Sequence, residues 1–124
     1  MADSMMTDSL EKTMQIDKER EEAAVVFRKP PRMLNCSQSV AAVCGRDELV
    51  DGLAGFGGGR APEGLCGALY AALAIVPEAK RAELRRRFEE TVGNVACRDI
   101  KAVKKTPCLD CVATAIALAR ELKD

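Results

Sequence analysis

Gly55-Phe56-Gly57-Gly58-Gly59-Arg60-Ala61-Pro62-Glu63-Gly64-Leu65-Cys66-Gly67-Ala68-Leu69-Tyr70-Ala71-Ala72-Leu73-Ala74-Ile75-Val76 joins a glycine-rich loop to the most apolar segment of the chain. From Leu65 to Val76 only Gly67 is not apolar, so a helix here has no polar face and is expected to be buried on all sides. At 12 residues the run is too short to cross a bilayer, which takes about 20. It therefore reads as the central helix, about 62–76, of a soluble bundle. Cys66 is expected about one turn inside it, on a stripe with Leu69, Tyr70 and Leu73. Gly67 and Ala71 are small and four apart, so another backbone can approach closely on that side.

The chain of 124 residues is long enough for one domain with a real core. Apolar residues make up 48% but aromatic ones only 3%, which suits closely packed helices. Lys plus Arg and Asp plus Glu are equal at 19 each, so no nucleic-acid footprint and no anionic-membrane footprint is expected. Charge is still uneven: residues 1–24 hold seven acids against three bases, and residues 78–105 hold nine bases against five acids. The chain has no histidine, which excludes a histidine base, a Ser-His-Asp triad, a Cys-His pair and any histidine metal ligand. Six cysteines are many for this length. No basic stretch followed by an apolar core opens the chain, so no signal peptide is read and a cytoplasmic protein is expected. In a reducing compartment such cysteines point to metal or redox chemistry rather than structural disulfides.

The periodicity predicts an all-α single domain of about five to six helices over residues 9–124, after a disordered tail over 1–8. Asp8 or Ser9 caps a first helix running to about Phe27, whose apolar second half docks, and Pro30-Pro31 ends it. Asn35 starts the second helix, and Gln38 completes a capping-box pattern. Cys36 then takes the first helical position, where unpaired amides and the positive dipole end favour thiolate. Cys36, Val40, Val43 and Cys44 share an inward stripe, and Gly45 closes the helix. Cys36 and Cys44 are about 12 Å apart along the axis and cannot bridge while it is intact.

A short helix is expected from Asp47 to Phe56, with Leu49, Val50 and Leu53 inward. Gly57-Gly58-Gly59 lacks the phosphate-loop pattern, so it reads as a flexible turn rather than a nucleotide site. Pro62 suits the first turn of the central helix, and Pro77 separates it from the next, Glu78 to about Val92. Leu84, Phe88 and Val92 form that helix's apolar stripe. Arg81, Arg85, Arg86 and Arg87 alternate with Glu83, Glu89 and Glu90 on a solvated face. Gly93-Asn94 ends it. Thr106-Pro107 opens the last helix, in which Cys108 and Cys111 lie about 5–6 Å apart on one face of the first turn. Cys111, Ala115, Leu118 and Leu122 continue that face inward.

Asn35-Cys36-Ser37-Gln38-Ser39-Val40, Gly55-Phe56-Gly57-Gly58-Gly59, Cys66-Gly67-Ala68, Cys97-Arg98-Asp99 and a C-terminal cysteine helix follow one another in an order that resembles the C_GCAxxG_C_C family. That family is described as redox-active proteins with four characteristic cysteines. The resemblance covers about Ala23 to Leu122. It implies Cys36 as the first family cysteine, Cys66 as the Cys-Gly-Ala cysteine and Cys97 as the third. It implies Cys108 or Cys111 as the fourth, Cys108 being preferred for its place at the helix start. Ala71 stands where the motif has its last glycine, and Cys44 has no family counterpart.

Three functional readings stay open at this point. Clustered Cys36, Cys66, Cys97, Cys108 and Cys111 carry out thiol–disulfide or electron-transfer chemistry with a redox partner protein, which needs no cofactor. Alternatively, Cys36, Cys66, Cys97 and Cys108 hold an iron–sulfur cluster or zinc. Otherwise the chain is an α-helical interaction scaffold with buried cysteines. The first two require these cysteines to converge.

Overall fold

A computed structural model of the chain describes residues 17–30, 33–55, 64–96, 100 and 108–122. The expected tail, the triglycine, Pro62, Cys97 and the Thr106-Pro107 cap lie outside the described residues. The described residues are all-α. Helix α1 covers 17–24, α2 Cys36–Val43, α3 Gly67–Ile75, α4 Glu78–Val92 and α5 Cys108–Leu122. Among the described residues there is no strand, only isolated bridges between Phe27 and Leu34 and between Leu65 and Ala96. No described helix is long and apolar enough to cross a membrane.

Helix α2 forms because Asn35 caps it. Its side chain accepts from the Gln38 amide at 2.8 Å, while Gln38 Oε1 accepts from the Asn35 amide at 3.1 Å. Gly45, at φ +77°, takes the left-handed conformation that turns the chain away at the other end. Gly93 does the same after α4, at φ +103°. The stripes of α4 and α5 behave as their spacing predicts, whereas of the expected Cys36, Val40, Val43 and Cys44 stripe only Val40 is fully buried and the others are half-buried. Leu84, Phe88 and Val92 of α4 are buried, as are Cys111, Ala115, Leu118 and Leu122 of α5. Removing a side chain such as Leu84, Phe88 or Val92 from water contributes about 1.5–3 kcal/mol.

Helix α3 packs against α2, α5 and α4. Ala68, Ala71 and Ala72 are fully buried there, and Ala115 and Ala119 on α5 nearly so. Small side chains at these contacts let helix axes approach closely, which explains how a core with so few aromatic residues closes. Burial of α3 is not uniform: Ala74 is exposed, and Tyr70, Leu73 and Ile75 are half-buried. The apolar run thus has one side that its neighbours leave uncovered.

Three expected boundaries are corrected. The helix over 62–76 begins only at Gly67, and Cys66 is its N-cap in extended conformation, not a residue one turn inside. The cause is long-range pairing: the Cys66 amide donates to Val95 O at 2.8 Å, and Leu65 bridges Ala96, so the backbone is held straight until Gly67. The segment after Asp47 is two 3-10 turns, Asp47–Leu49 and Asp51–Leu53, rather than an α-helix. Its carbonyls are claimed from outside, Val50 O by Gln38 Nε2 at 3.0 Å and Leu53 O by Ser37 Oγ at 3.0 Å and Asn35 Nδ2 at 3.2 Å. Helix α1 stops at residue 24 instead of Phe27. Beyond Ala23, which is buried, Val26 O and the Arg28 amide turn to Leu34, and Val25 is left 71% exposed.

Asn35 therefore serves two purposes, capping α2 and holding the 3-10 turns through Leu53 O and Ala54 O. Asn35→Ala is expected to cost about 2 kcal/mol, the upper end for a lost cap. Asn35→Asp, which keeps the cap and loses the amide donors, should cost less. Urea denaturation of the two variants checks this; equal losses would show that capping is not what Asn35 supplies.

Candidate functional site

Each described cysteine is placed by the start or end of a helix. Cys36 is the first residue of α2 and is half-buried. Cys66 is the buried N-cap of α3. Cys108 begins α5 and is half-buried, and Cys111 follows in the same turn, buried. Cys44 is half-buried at the other end of α2, as its C-cap. Cys97 lies outside the described residues. Three helices that pack on one another, α2, α3 and α5, thus each begin at a cysteine. Among the described residues no disulfide joins these cysteines, and no three cysteine, aspartate or glutamate side chains are grouped so as to hold a metal ion.

The surroundings of Cys36 are polar and rigid. Ser37 and Ser39, both in the first turn after the Asn35 cap, are fully buried. Ser37 Oγ lies 2.9 Å from Asn35 Oδ1 and 3.0 Å from Leu53 O, either of which can accept its one proton, and Ser39 Oγ donates to Asn35 O at 2.7 Å. Both buried hydroxyls here have an acceptor, which fixes the first turn of α2. The amides of Gln38 and Ser39 are taken by Asn35. The pull on a Cys36 thiolate therefore comes from the first two amides of the turn and the helix dipole, a smaller set than an uncapped helix would offer.

Sequence reasoning missed a second polar cluster at the other end of α2. Arg120 Nη1 donates to Glu19 Oε1 at 2.9 Å and to Glu22 Oε2 at 2.7 Å, while Nη2 donates to Val43 O at 3.1 Å. One guanidinium thereby ties α1, α2 and α5 together. Burial alone would lower the Arg120 pKa, but hydrogen bonds to Glu22 and Glu19, and the nearby Cys44, outweigh it and raise it above the ordinary arginine value. Glu19 is buried, and its second oxygen, Oε2, has no hydrogen-bond partner. An ion pair between Arg20 and Asp110 at 2.6 Å fastens α1 to the first turn of α5 as well. Arg20 also pairs with Asp17, and its hydrogen bonds to Asp110 and Asp17 raise its pKa. Among the described residues, Glu19 and Glu22 of the acid-rich start thus meet a cation on α5. The only sequence signals were an arginine in a last helical turn and an acid run, neither of which names the other.

On α4, Arg87 makes a two-pronged pair with Glu121 at 2.9 and 3.0 Å, and Arg86 pairs with Glu90. Arg81, Arg85 and Arg86 are exposed, as a solvated face requires. Comparison of the chain with protein-family models, curated proteins and solved structures gave no match.

Proposed function

We propose that the chain carries out thiol–disulfide exchange with a disulfide-bearing partner protein, on a bundle whose central helix is α3. The observation that carries this reading is the cysteine at the start of each of three mutually packed helices. Helix starts are where thiols are most readily ionised and where two thiols of a C-x-x-C turn face the same way. The resemblance to the C_GCAxxG_C_C family supports the same class of chemistry and would add Cys97 to the set.

The register of α2 on α5 supports a working order of thiols. Val43 O meets Arg120, two residues from the end of α5, yet α2 packs along α5. Running in the same direction as α5 would keep α2 alongside that helix, whereas the other direction would carry it toward the end of the described residues. Seven residues back from Val43 is Cys36, and seven back from Arg120 lies in the turn that follows Cys111. Packing in that direction would bring Cys36 to the level of the C-x-x-C turn.

On this reading Cys36 enters first. Its thiolate attacks one sulfur of the partner's disulfide; that bond breaks, a Cys36–partner bond forms, and the other partner sulfur leaves and takes a proton from water. Cys111 gives up its proton and attacks the Cys36 sulfur. The Cys36–Cys111 bond forms and the second partner thiolate departs. The partner gains two electrons, which Cys36 and Cys111 lose. Attack at sulfur needs the incoming and leaving sulfurs in line. With the partner in solvent, the resolving thiol must come from the core side, which selects buried Cys111 over half-exposed Cys108. Cys108 can then attack the Cys111 sulfur, release Cys36 and leave the disulfide at the start of α5.

Oxidation of the reduced chain with glutathione disulfide, followed by thiol blocking and peptide mass spectrometry, tests this. The expected result is loss of two of the six thiols, with Cys111 bonded first to Cys36 and later to Cys108. Retention of all six thiols overturns the proposal. So does bound zinc or iron that protects the thiols from alkylation until it is chelated, which would transfer the site to the metal reading.

A further inference from the structure

The geometry points to the turn before Cys36 as the docking surface for the redox partner, and to an acidic and apolar segment of that partner as what it accepts. This rests on the thiol-exchange reading and adds to it the kind of chain that brings the disulfide. The two large apolar side chains most exposed among the described residues, Val25 at 71% and Met33 at 59%, both belong to this turn. They are neighbours: the Leu34 amide donates to Val26 O at 3.2 Å, and the Met33 amide to Lys29 O at 2.8 Å, so Met33 lies beside the Val25-Val26 turn.

The described part of the turn, 25–30 and 33–34, is fixed by its own hydrogen bonds. Arg28 and Met33 hold positive φ, 54° and 52°, although neither is glycine. Each such residue costs about 1 kcal/mol or more and persists only where its surroundings impose it. Here the Arg28 amide donates to Leu34 O at 2.9 Å, and the Arg28 guanidinium stacks 4.9 Å from the centre of the Phe27 ring. Arg28 and Lys29 are both exposed, and among the described residues neither forms an ion pair. Two cations beside two apolar side chains match a partner bearing acids next to an apolar residue.

Chain continuity ties this surface to the chemistry. Only Leu34 and Asn35 separate Met33 from Cys36, so their Cα atoms lie within about 11 Å. An extended partner segment covers about 3.4 Å per residue, so its acidic and apolar residues should sit about three residues from its half-cystine.

The test uses the intact protein and synthetic peptides whose single cysteine carries a 2-thiopyridyl disulfide. One peptide has Asp-Leu three residues away, a second Lys-Leu, and 2,2′-dithiodipyridine serves as an uncharged probe without a peptide. At low salt the acidic peptide should release thiopyridone about tenfold faster than the basic one, with the advantage fading at high salt. Arg28→Glu with Lys29→Glu should invert the preference, and Lys29→Glu alone should narrow it, while reaction with the uncharged probe is unchanged. Equal rates for the two peptides, or a preference that survives the charge reversal, overturns the docking surface and leaves the thiol chemistry standing. A Cys36→Ser variant that reacts with the uncharged probe as fast as the unaltered chain overturns the thiol assignment itself.

Discussion

Cys36→Ser is expected to remove the fastest-reacting thiol of the protein. At about pH 6 the iodoacetamide rate should fall about tenfold, because an ionised thiol at a helix start gains far more in thiolate fraction than it loses in nucleophilicity. In the unaltered chain the pH profile of that reaction should have its midpoint below about 8.5, the ordinary thiol value. The same substitution should stop the first oxidation step, since Cys111 then has no partner-bound sulfur to attack. Cys44→Ser is the internal comparison, with a half-buried thiol at the opposite end of the same helix. There the dipole works against the anion. Arg120 is near and attracts a Cys44 thiolate, but it shares that charge with Glu19 and Glu22. Low-pH alkylation should survive Cys44→Ser. Equal rates for both variants would mean that neither helix end tunes its cysteine.

Arg120→Met should be among the most destabilising single changes outside the apolar core. It strips the cation from Glu19, whose side chain is 8% exposed and whose Oε2 is already unsatisfied. It also leaves Val43 O without its donor. Breaking a fully buried pair costs about 3–5 kcal/mol, but Arg120 and Glu22 are each 35% exposed and water can reach them, so a loss of about 2–3 kcal/mol is expected. Adding Glu19→Leu should recover most of it, because the charge left without a cation is then Glu22, which at 35% exposure water can reach, and not buried Glu19. Urea unfolding of the two single variants and the double variant measures the coupling; strict additivity would show that the pair contributes nothing. The sign of any pH effect follows from the raised Arg120 pKa. Stability from a raised basic group is complete below its ordinary unfolded value and is lost only as pH rises through the higher folded value. The contact should therefore hold throughout the alkaline range in which the protein can be handled.

The local elements were legible in the chain because their rules act within about four residues. Asn35 with Gln38 starts α2, Gly45 and Gly93 stop their helices, and the Leu84, Phe88, Val92 and Cys111, Ala115, Leu118, Leu122 stripes face the core. The same short-range rules put Cys36, Cys108 and Cys111 at helix starts. What periodicity could not foresee were bonds between distant backbone and side-chain groups. Val95 O draws the Cys66 amide and delays α3 until Gly67, so a cysteine expected inside a helix becomes its cap. Donors on Asn35, Ser37 and Gln38 seize Val50 O and Leu53 O and tighten a helix into 3-10 turns. Leu34 folds back on Val26 and Arg28, exposing Val25 in an apolar run that had every local reason to be buried. Arg120 meets Glu19 across 101 residues. A hydrogen-bonding group satisfies itself with whatever the fold brings near, and that choice is written in the tertiary structure alone.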